Sequence, residues 1–311
     1  MFRHTPRVFA ASLAVAALTL GACAETTTET PAGGGSPSAA TFPVTVGELT
    51  LEQRPEKIVS LSPTGTEMLF AIGAGSQVTA VDDQSNHPVD APKTDLSGYQ
   101  PNAEAVAAKN PDLVVLANDT NKIVEQLTAL KIPVYQAPAA QTLDDSYRQL
   151  TELGTLTGNT DAAADVVQRM KDDITKIAAE VPQRAEAPTY FHELGPELYT
   201  ATSKTFIGSI YSLAGLENIA DAADADGKNG GYPQLSQEVI IDADPDFIFL
   251  GDVRQAGQTA DKVKARSGWA SLSAVQNDQV VELDDDIASR WGPRVVDLLR
   301  AIVDATAKAS E

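Results

Sequence analysis

The sequence predicts an α/β protein of two lobes, each built on a parallel sheet and joined to the other by a single long helix. Three observations carry this prediction. Short apolar runs alternate with helical patterns from Lys57 onward, which is typical of a parallel sheet covered by helices. One amphipathic stretch separates two such regions. Two similar phrases occur once in each half, NAEAVAAKNPDLVVL at Asn102–Leu116 and SQEVIIDADPDFIFL at Ser236–Leu250.

The N-terminus has the pattern of an export signal. A basic start, MFRHTPR, precedes an uncharged apolar stretch at Val8–Ala22, which is too short for a membrane-spanning helix. Small residues then lead to Cys23, the only cysteine of the chain, and LGAC resembles the lipobox of bacterial lipoproteins. We expect a lipoprotein signal peptide over 1–22. The alternative is an ordinary signal peptide with Cys23 near its cleavage site.

The segment after the signal peptide predicts a tether. It is rich in Thr, Gly, Pro and Ser and lacks large apolar residues, so it cannot bury a core. We therefore expect a lipidated Cys23 and a flexible tether over 23–41. The whole chain has a formal net charge of −20. Such acidity argues against nucleic acid or anionic lipid as a partner.

Residues 42–160 contain the elements of one α/β lobe. KIVSLS at Lys57–Ser62 predicts a strand, and PTGTEMLFAIG predicts a helix with a capping box between Thr64 and Glu67 that ends near Gly73. VTAVD predicts the next strand. NAEAVAAKN, PDLVVLA, TNKIVEQLTALK and IPVYQA then predict a helix, a strand, a helix and a strand.

The linking segment, 161–182, predicts one long helix. Its apolar residues recur at steps of three and four, as on one face of a helix: Val167, Met170, Ile174, Ile177 and Val181. If Asp161–Val181 is all helical, it spans about 31 Å at roughly 1.5 Å per residue. A helix of that length between two α/β patterns would join two lobes.

Residues 183–311 repeat the first pattern. TYFHEL and LYTAT predict strands, and KTFIGSIYSLAG predicts a helix that ends at Gly215. The second copy of the repeated phrase follows, then QVVELDDD and a final helix from about Pro293 to Ala309. Both halves therefore contain a strand, a capped helix, a loop, a short helix and a Pro-Asp strand in the same order.

Five phrases carry a resemblance to a known family. They are RPEKIVSLSPTGTEMLFAIGAG, SGYQPNAEAVAAKNPDLVVL, TSKTFIGSIYSLAGLENIADA, YPQLSQEVIIDADPDFIFL and DDDIASRWGPRVVDLLRAI, in order across most of Arg54–Ile302. The chain resembles the substrate-binding proteins of ABC importers for iron complexes, haem and vitamin B12, the class III periplasmic binding proteins. The resemblance implies two Rossmann-like lobes, held by one rigid helix, that enclose a ligand in their cleft.

The resemblance also assigns a role to the repeated phrase. In this family one glutamate on each lobe docks into arginine pockets of the permease, and Glu104 and Glu238 match those positions. The alternative is that each carboxylate only stabilises the first turn of a helix capped by Asn102 or Ser236. The implied partners are a permease dimer with its ATPase subunits, a small-molecule metal chelate, and the outer face of the cytoplasmic membrane through Cys23. We expect a monomer.

Ligand contacts are expected on loops at the carboxyl ends of the strands, where open α/β sheets bind ligands. The candidate loops are Ser62–Thr66, Asp82–His87, Gly98–Tyr99 and Asn118–Asp119 in the first lobe, and His192–Glu193, Thr202–Phe206, Asn229–Tyr232 and Asp284–Trp291 in the second. The residues singled out within them are Ser62, Thr64, Asp83, Gln84, Tyr99, Asn118, His192, Glu193, Tyr232, Asp285, Arg290 and Trp291. Each has a structural alternative. The hydroxyls could cap a helix, the tyrosines could pack under a lobe edge, and Asp285 could lie in a solvated turn. Arg290 could neutralise the preceding DDD instead of pairing with a ligand, and Trp291 is either core or cleft wall.

The resemblance favours a corrinoid such as vitamin B12, with haem or a ferric siderophore as alternatives. The stretches GYPQLSQE and SRWGPR fit a corrinoid binder, whereas vitamin B12 binders tend to place aromatic residues where this sequence has Gln84, Asn86 and Ala117-Asn118, which argues against it. Tyr99, opposed by His192 or His87, would suit haem, and Arg290 with Tyr99 would suit an anionic siderophore. Only two histidines follow the signal peptide, which argues against a bare Zn²⁺ or Mn²⁺ site. No resident cofactor or metal is expected.

Two other classes of function fit the sequence less well. A surface hydrolase could use Ser62, His192 and Glu193, but the sequence contains no GxSxG, Walker loop, GxGxxG or HExxH motif. An adhesion or structural module would not need a cleft between two lobes. We therefore expect a binding protein rather than an enzyme.

Overall fold

Two four-stranded parallel sheets form the frame of residues 41–308, the part of the chain that this computed structural model describes. The strands are β1 (Val44–Val46), β2 (Leu49–Leu51), β3 (Ile58–Leu61), β4 (Val78–Val81), β5 (Leu113–Leu116), β6 (Val134–Gln136), β7 (Thr189–Glu193), β8 (Glu217–Asn218), β9 (Phe247–Leu250) and β10 (Val280–Glu282). The helices are α1 (Pro63–Ala71), α2 (Ala103–Ala107), α3 (Ile123–Ala129), α4 (Leu143–Thr157), α5 (Thr160–Ala179), α6 (Phe206–Leu213), α7 (Gln237–Ala243), α8 (Ala260–Lys264), α9 (Ser273–Gln276), α10 (Asp285–Ala288) and α11 (Val295–Lys308).

The first sheet has the order β4-β3-β5-β6, with every pairing parallel. All four residues of β3 and of β5 are buried, which is why these strands are nearly continuous apolar runs and do not alternate. Separate apolar clusters cover the two faces of the sheet. A short antiparallel hairpin of β1 and β2 precedes the sheet.

The second sheet repeats the topology of the first. Its order is β10-β9-β7-β8, again parallel. When the four strands of each parallel sheet are numbered one to four in chain order, both sheets have the order 2-1-3-4. The two copies of the repeated phrase form α2 with β5 and α7 with β9, so each builds the third strand of its sheet and the helix before it. The predicted pair of similar α/β lobes is confirmed.

Helix α5 follows the first sheet and precedes the second, as the apolar spacing predicts. It has 20 residues, about 30 Å at roughly 1.5 Å per residue, and it packs against α4 and α11. Of its predicted apolar face, Met170, Ile174 and Ile177 are buried, while Val167 and Val181 are only partly so. The buried stripe instead includes Val166.

The chain returns to the first lobe after β10. The segment Ser289–Arg294 lies against α1 and α4, where Ser146 Oγ donates to the Trp291 carbonyl at 2.5 Å and Trp291 Nε1 donates to Gln149 Oε1 at 2.8 Å. The final helix α11 then packs on α5 and α6. It begins at Val295, two residues after the predicted start.

Two local predictions are wrong. Ser62, not Thr64, caps α1, because its Oγ accepts from the Gly65 N–H at 3.1 Å, and Glu67 forms ion pairs instead of a capping box. LYTAT is not a strand: only Tyr199 forms an isolated bridge, to Gln234. The second strand of that sheet is β8, whose two residues are too few to show a period in the sequence.

The predicted signal peptide, Cys23 and the tether up to residue 40 lie outside the described residues. Within residues 41–308, no helix combines the length and the apolar character needed to cross a membrane.

The turn before α6 depends on a glycine. A Cβ at Gly208 would lie 2.0 Å from the Thr202 carbonyl oxygen and 2.6 Å from the Ser203 Cα. These are backbone atoms, so the helix could only accommodate a side chain by moving away from the turn. In the same turn, the Gly208 N–H donates to the Thr205 capping hydroxyl at 3.0 Å.

We predict that Gly208→Ala destabilises the protein by about 1–3 kcal/mol through overpacking, even though alanine is the better helix former by up to about 1 kcal/mol. The free energy of unfolding in urea measures this change. Gly195→Ala is the matched control, because its Cβ would meet only the flexible end of Glu197, at 3.1 Å. Equal stability of the two variants would contradict the prediction.

Candidate ligand-binding cleft

A cavity of about 310 Å³ lies where the carboxyl ends of strands from both lobes meet. Its lining comes from loops after β3, β4, β5, β9 and β10: Leu61, Ser62, Pro63, Thr64, Asp82, Gln84, Gly98, Tyr99, Ala117, Asn118, Gln255, Asp286, Ser289, Arg290 and Trp291. In parallel sheets this edge is the usual place for a ligand. Seven of the twelve predicted contact residues line the cavity: Ser62, Thr64, Gln84, Tyr99, Asn118, Arg290 and Trp291.

The floor on the first lobe is the start of α1. Ser62 caps the helix, and Thr64 lies in its first turn. Both are buried, and no acidic residue occupies that turn. The N-terminus therefore directs its partial positive charge toward this part of the cavity. The predicted capping role and the predicted cavity position both apply to Ser62.

Tyr99 stands at the mouth of the cavity because Gly98 lets the loop come close to β3. A Cβ at Gly98 would lie 2.6 Å from both the Leu61 carbonyl oxygen and Asp82 Oδ2. Tyr99 is 74% exposed, so its ring is available to a ligand. Asp82, beneath the loop, is buried, and this burial raises the pKa of its carboxyl above the ordinary value.

Arg290 is held by the protein on both of its terminal nitrogens. Nη1 donates to Glu67 Oε1 at 2.6 Å and to Asn86 Oδ1 at 3.0 Å. Nη2 donates to Asp286 Oδ1 at 2.7 Å and to the Gln84 carbonyl at 3.3 Å. The guanidinium thus neutralises one residue of the DDD run, as one of the two sequence hypotheses holds, and also links the return segment to the first lobe.

Trp291 is both a structural and a cavity residue. Its indole nitrogen is bonded to Gln149, the ring is half-buried, and one side lines the cavity. A buried indole usually needs such a partner. The hydrogen bond to α4 fixes the ring orientation, so a ligand would meet a rigid wall there.

The structure does not bring His192 or Glu193 to the cavity. His192 has no exposed surface, and its Nδ1 is 2.8 Å from the Tyr211 hydroxyl. This burial lowers its pKa to about 4. Glu193, equally buried, points to the opposite face of β7 and forms a two-point ion pair with Arg266 at 2.6 Å for each contact. Arg266 in turn stacks over the Trp269 ring.

Three further predicted contacts also lie outside the cavity lining. Asp83 is exposed, and its neighbour Asp82 faces the cavity instead. Tyr232, in the second lobe, is 43% exposed and is not among the lining residues. Asp285 is buried and accepts hydrogen bonds from the Arg254 and Gln255 N–H groups. Asp285 therefore does not lie in a solvated turn. Its carboxylate fixes the loop that carries Gln255.

Sequence reasoning missed one polar lining residue, Gln255. The other polar lining residues that were not singled out, Asp82, Asp286 and Ser289, lie in loops predicted from the sequence to contact the ligand. Gln255 lies in the loop after β9, which the same rule about carboxyl ends would have selected.

Glu104 and Glu238 occupy equivalent, exposed positions in the first turns of α2 and α7. Asn102 Oδ1 and Ser236 Oγ cap the two helices, at 2.9 and 3.3 Å from the N–H groups they accept. Neither glutamate forms an ion pair with another residue in the range 41–308. Both carboxylates are therefore accessible, in addition to favouring their helix dipoles.

The three residues of the hydrolase hypothesis do not come together in one site. Ser62 lines the cavity, whereas His192 is enclosed in the second lobe and its neighbour Glu193 points to the other face of the strand. Within residues 41–308, no group of three or more His, Cys, Asp and Glu side chains is placed to hold a metal ion.

Comparison with known proteins agrees with this geometry. Residues 58–287 match the family described as Periplasmic binding protein. The chain is 34% identical over 280 residues to a cobalamin-binding protein of Halobacterium salinarum, covering 86% of this chain and 75% of that one. It is 30% identical to an uncharacterized ABC transporter substrate-binding lipoprotein, YvrC, of Bacillus subtilis, covering 82% and 83%.

A solved structure of similar fold is the periplasmic vitamin B12 binding protein BtuF of Vibrio cholerae. The TM-score is 0.66 at 27% identity, with 83% of this chain and 98% of that one covered. The chain belongs to the periplasmic binding protein family, and its fold is that of the class III members. The family resemblance and the fold class predicted from the sequence are confirmed.

A buried acid near the cleft gives a pH-dependent stability. Asp252 is 3% exposed, and neither carboxylate oxygen accepts a hydrogen bond from another residue in the described range. Burial, with the nearby charge of Glu193, raises its pKa from 3.8 to about 6. The folded state therefore binds this proton more tightly than the unfolded state, and the stability that it contributes is lost as pH rises from about 4 through about 6.

We predict that Asp252→Asn increases the free energy of unfolding by about 1–3 kcal/mol at about pH 7.5 and changes it little at about pH 4. Urea unfolding of the variant and the wild type at several pH values measures the difference. Asp242→Asn, at an exposed position of α7, is the control and should show no such trend. A constant difference across this pH window would refute the prediction.

Proposed function

We propose that this protein is the extracytoplasmic substrate-binding component of an ABC importer, which captures a metal chelate between its lobes and delivers it to a permease. The observation that carries the proposal is the cavity at the joint carboxyl edge of the two sheets, lined by residues from both lobes. Membership of the periplasmic binding protein family and the similarity to an ABC transporter substrate-binding lipoprotein support it.

A corrinoid is the ligand that we favour. Relatives named for binding cobalamin or vitamin B12 match most of the chain. The lining offers amides and hydroxyls on Gln84, Asn118 and Gln255 and on the nearby serines, with aromatic faces on Tyr99 and Trp291. Such groups suit a ligand with many side-chain amides around a flat macrocycle.

The size of the cavity places a condition on this proposal. Its volume of about 310 Å³ is at the lower end of the range, about 300–1,000 Å³, of pockets for drug-sized ligands. A corrinoid is larger than such ligands. The lobes must therefore separate when it binds, or part of it must extend past the exposed ring of Tyr99.

We predict that the soluble protein, cut after Ala40, binds cyanocobalamin at 1:1 and more tightly than haemin or ferric siderophores. Absorbance titration and calorimetry measure this. Tyr99→Ala should weaken binding by about 2- to 10-fold, the value of one aromatic contact. Asp83→Ala, exposed and outside the lining, should leave it unchanged. Binding of haemin with a shifted Soret band, and none of cobalamin, would transfer the proposal to haem.

The permease contact is proposed to use Glu104 and Glu238. Their positions are equivalent in the two lobes, both are exposed, and a carboxylate can bind arginine through two parallel hydrogen bonds that fix orientation. One contact on each lobe would let the permease hold both lobes at once. The lipid anchor at Cys23 would keep the protein at the outer face of the cytoplasmic membrane, within reach of the permease.

We predict that Glu104→Ala with Glu238→Ala reduces ligand uptake by cells at least about tenfold, since each lost charge-assisted contact costs about 1.5–3 kcal/mol, while ligand binding in solution is unchanged. Glu125→Ala with Glu217→Ala is the matched control. It also removes one exposed glutamate from each lobe and should leave uptake intact. Normal uptake by the first pair would exclude these residues from docking.

A further inference from the structure

The guanidinium of Arg290, in the wall of the cleft, is paired with carboxylates of the protein itself. Among the lining residues of this cavity, Arg290 carries the positive charge, and its side chain is only 9% exposed. A guanidinium has five N–H groups, of which the two terminal nitrogens carry four. All four of these N–H groups have acceptors in the protein: Glu67, Asn86, Asp286 and the Gln84 carbonyl.

Glu67 is the buried partner in this arrangement. It is 3% exposed and does not line the cavity. Its Oε1 accepts from Arg290 at 2.6 Å and from Arg294 Nη2 at 2.5 Å, and its Oε2 accepts from Arg294 Nε at 2.9 Å. The carboxylate thus lies behind the cavity wall, where it balances the two arginines of the return segment.

Beside the occupied guanidinium, the lining carries two carboxyl groups and no second cation. Asp82 and Asp286 line the cavity together with Arg290, and Asp286 also accepts from Asn86 at 2.7 Å and from Arg254, whose side chain is 56% exposed outside the cavity. An anionic ligand would find the arginine occupied and would lie near these carboxyl groups. These carboxyl groups would repel an anionic ligand but not a neutral ligand with amide groups.

We propose that Glu67 determines the charge selectivity of the cleft: by occupying Arg290 from behind the wall, it excludes anionic chelates and leaves the cavity to neutral, amide-bearing ones. The claim about anions concerns the residues of the cavity alone, whereas the claim about neutral chelates rests on the function proposed above. Glu67 touches no ligand in this arrangement and acts only through Arg290. It is a positioning residue.

The test uses citrate as a plain polyanion and the fluorescence of Trp291, which lines the cavity. The other tryptophan of the chain, Trp269, is fully buried and supplies a constant background. Wild type should show no saturable response to citrate. Glu67→Gln keeps the shape of the side chain but removes its charge. Its dissociation constant for citrate should lie at least about tenfold below the highest citrate concentration at which wild type shows no saturation, equivalent to about 1.4 kcal/mol.

Two controls separate this effect from a general loosening of the structure. Glu67→Gln combined with Arg290→Gln should lose the citrate response, because the freed guanidinium is the group that binds it. Arg294→Gln leaves the pair of Glu67 with Arg290 in place and should behave as wild type. If Glu67→Gln does not fold, Asp286→Asn releases the other terminal nitrogen of Arg290 and should produce the same gain.

The outcomes are distinct. Saturable citrate binding by wild type that is lost in Arg290→Gln would overturn the proposal, as would a folded Glu67→Gln with no gain or a double variant that retains the gain. Cyanocobalamin affinity is measured on the same variants, and in Glu67→Gln the ratio of citrate affinity to cyanocobalamin affinity should rise at least about tenfold over the wild-type ratio. If no variant binds a corrinoid, the corrinoid assignment fails, and the citrate result still decides the role of Glu67.

Discussion

The ion pairs of the Glu67 carboxylate with Arg290 and Arg294 are the interaction on which the geometry of the cleft depends. The carboxylate lies almost without exposure in α1 and is bonded to two arginines of a segment that follows the last strand of the second lobe. Burying a charge is costly unless partners of opposite charge surround it. Satisfying this carboxylate therefore requires Arg290 and Arg294 to remain against the first lobe. The same placement sets Trp291 into the wall of the cavity.

The parallel topology explains why the cavity lies where it does. In both sheets the strand order is 2-1-3-4, and every strand delivers its carboxyl end to one edge. Loops that follow β3, β4 and β5 meet loops that follow β9 and β10. Backbone N–H groups and polar side chains collect there, because the apolar strands behind them are fully buried.

The two lobes use their strand ends differently. In the first lobe, Ser62, Asp82 and Asn118 reach the cavity. In the second, the end of β7 is sealed by structural contacts, in which His192 meets Tyr211 and Glu193 meets Arg266. These polar groups stabilise the interior of the second lobe and are not available to a ligand. Its contribution to the cleft comes from later loops, which Asp285 holds through two backbone N–H groups.

The sequence by itself determined the two α/β lobes, the helix between them, the repeated capped helices of Glu104 and Glu238, and the cleft loops that follow β3, β4, β5 and β10. Local pattern suffices for these, since apolar periodicity and capping residues act over a few neighbours. It did not determine which of Asp82 and Asp83 faces the cleft, that Glu67 pairs with arginines more than 220 residues away, or that His192 is enclosed. Only the tertiary structure decided these points, because burial and pairing depend on elements that are distant in the chain and meet only after folding.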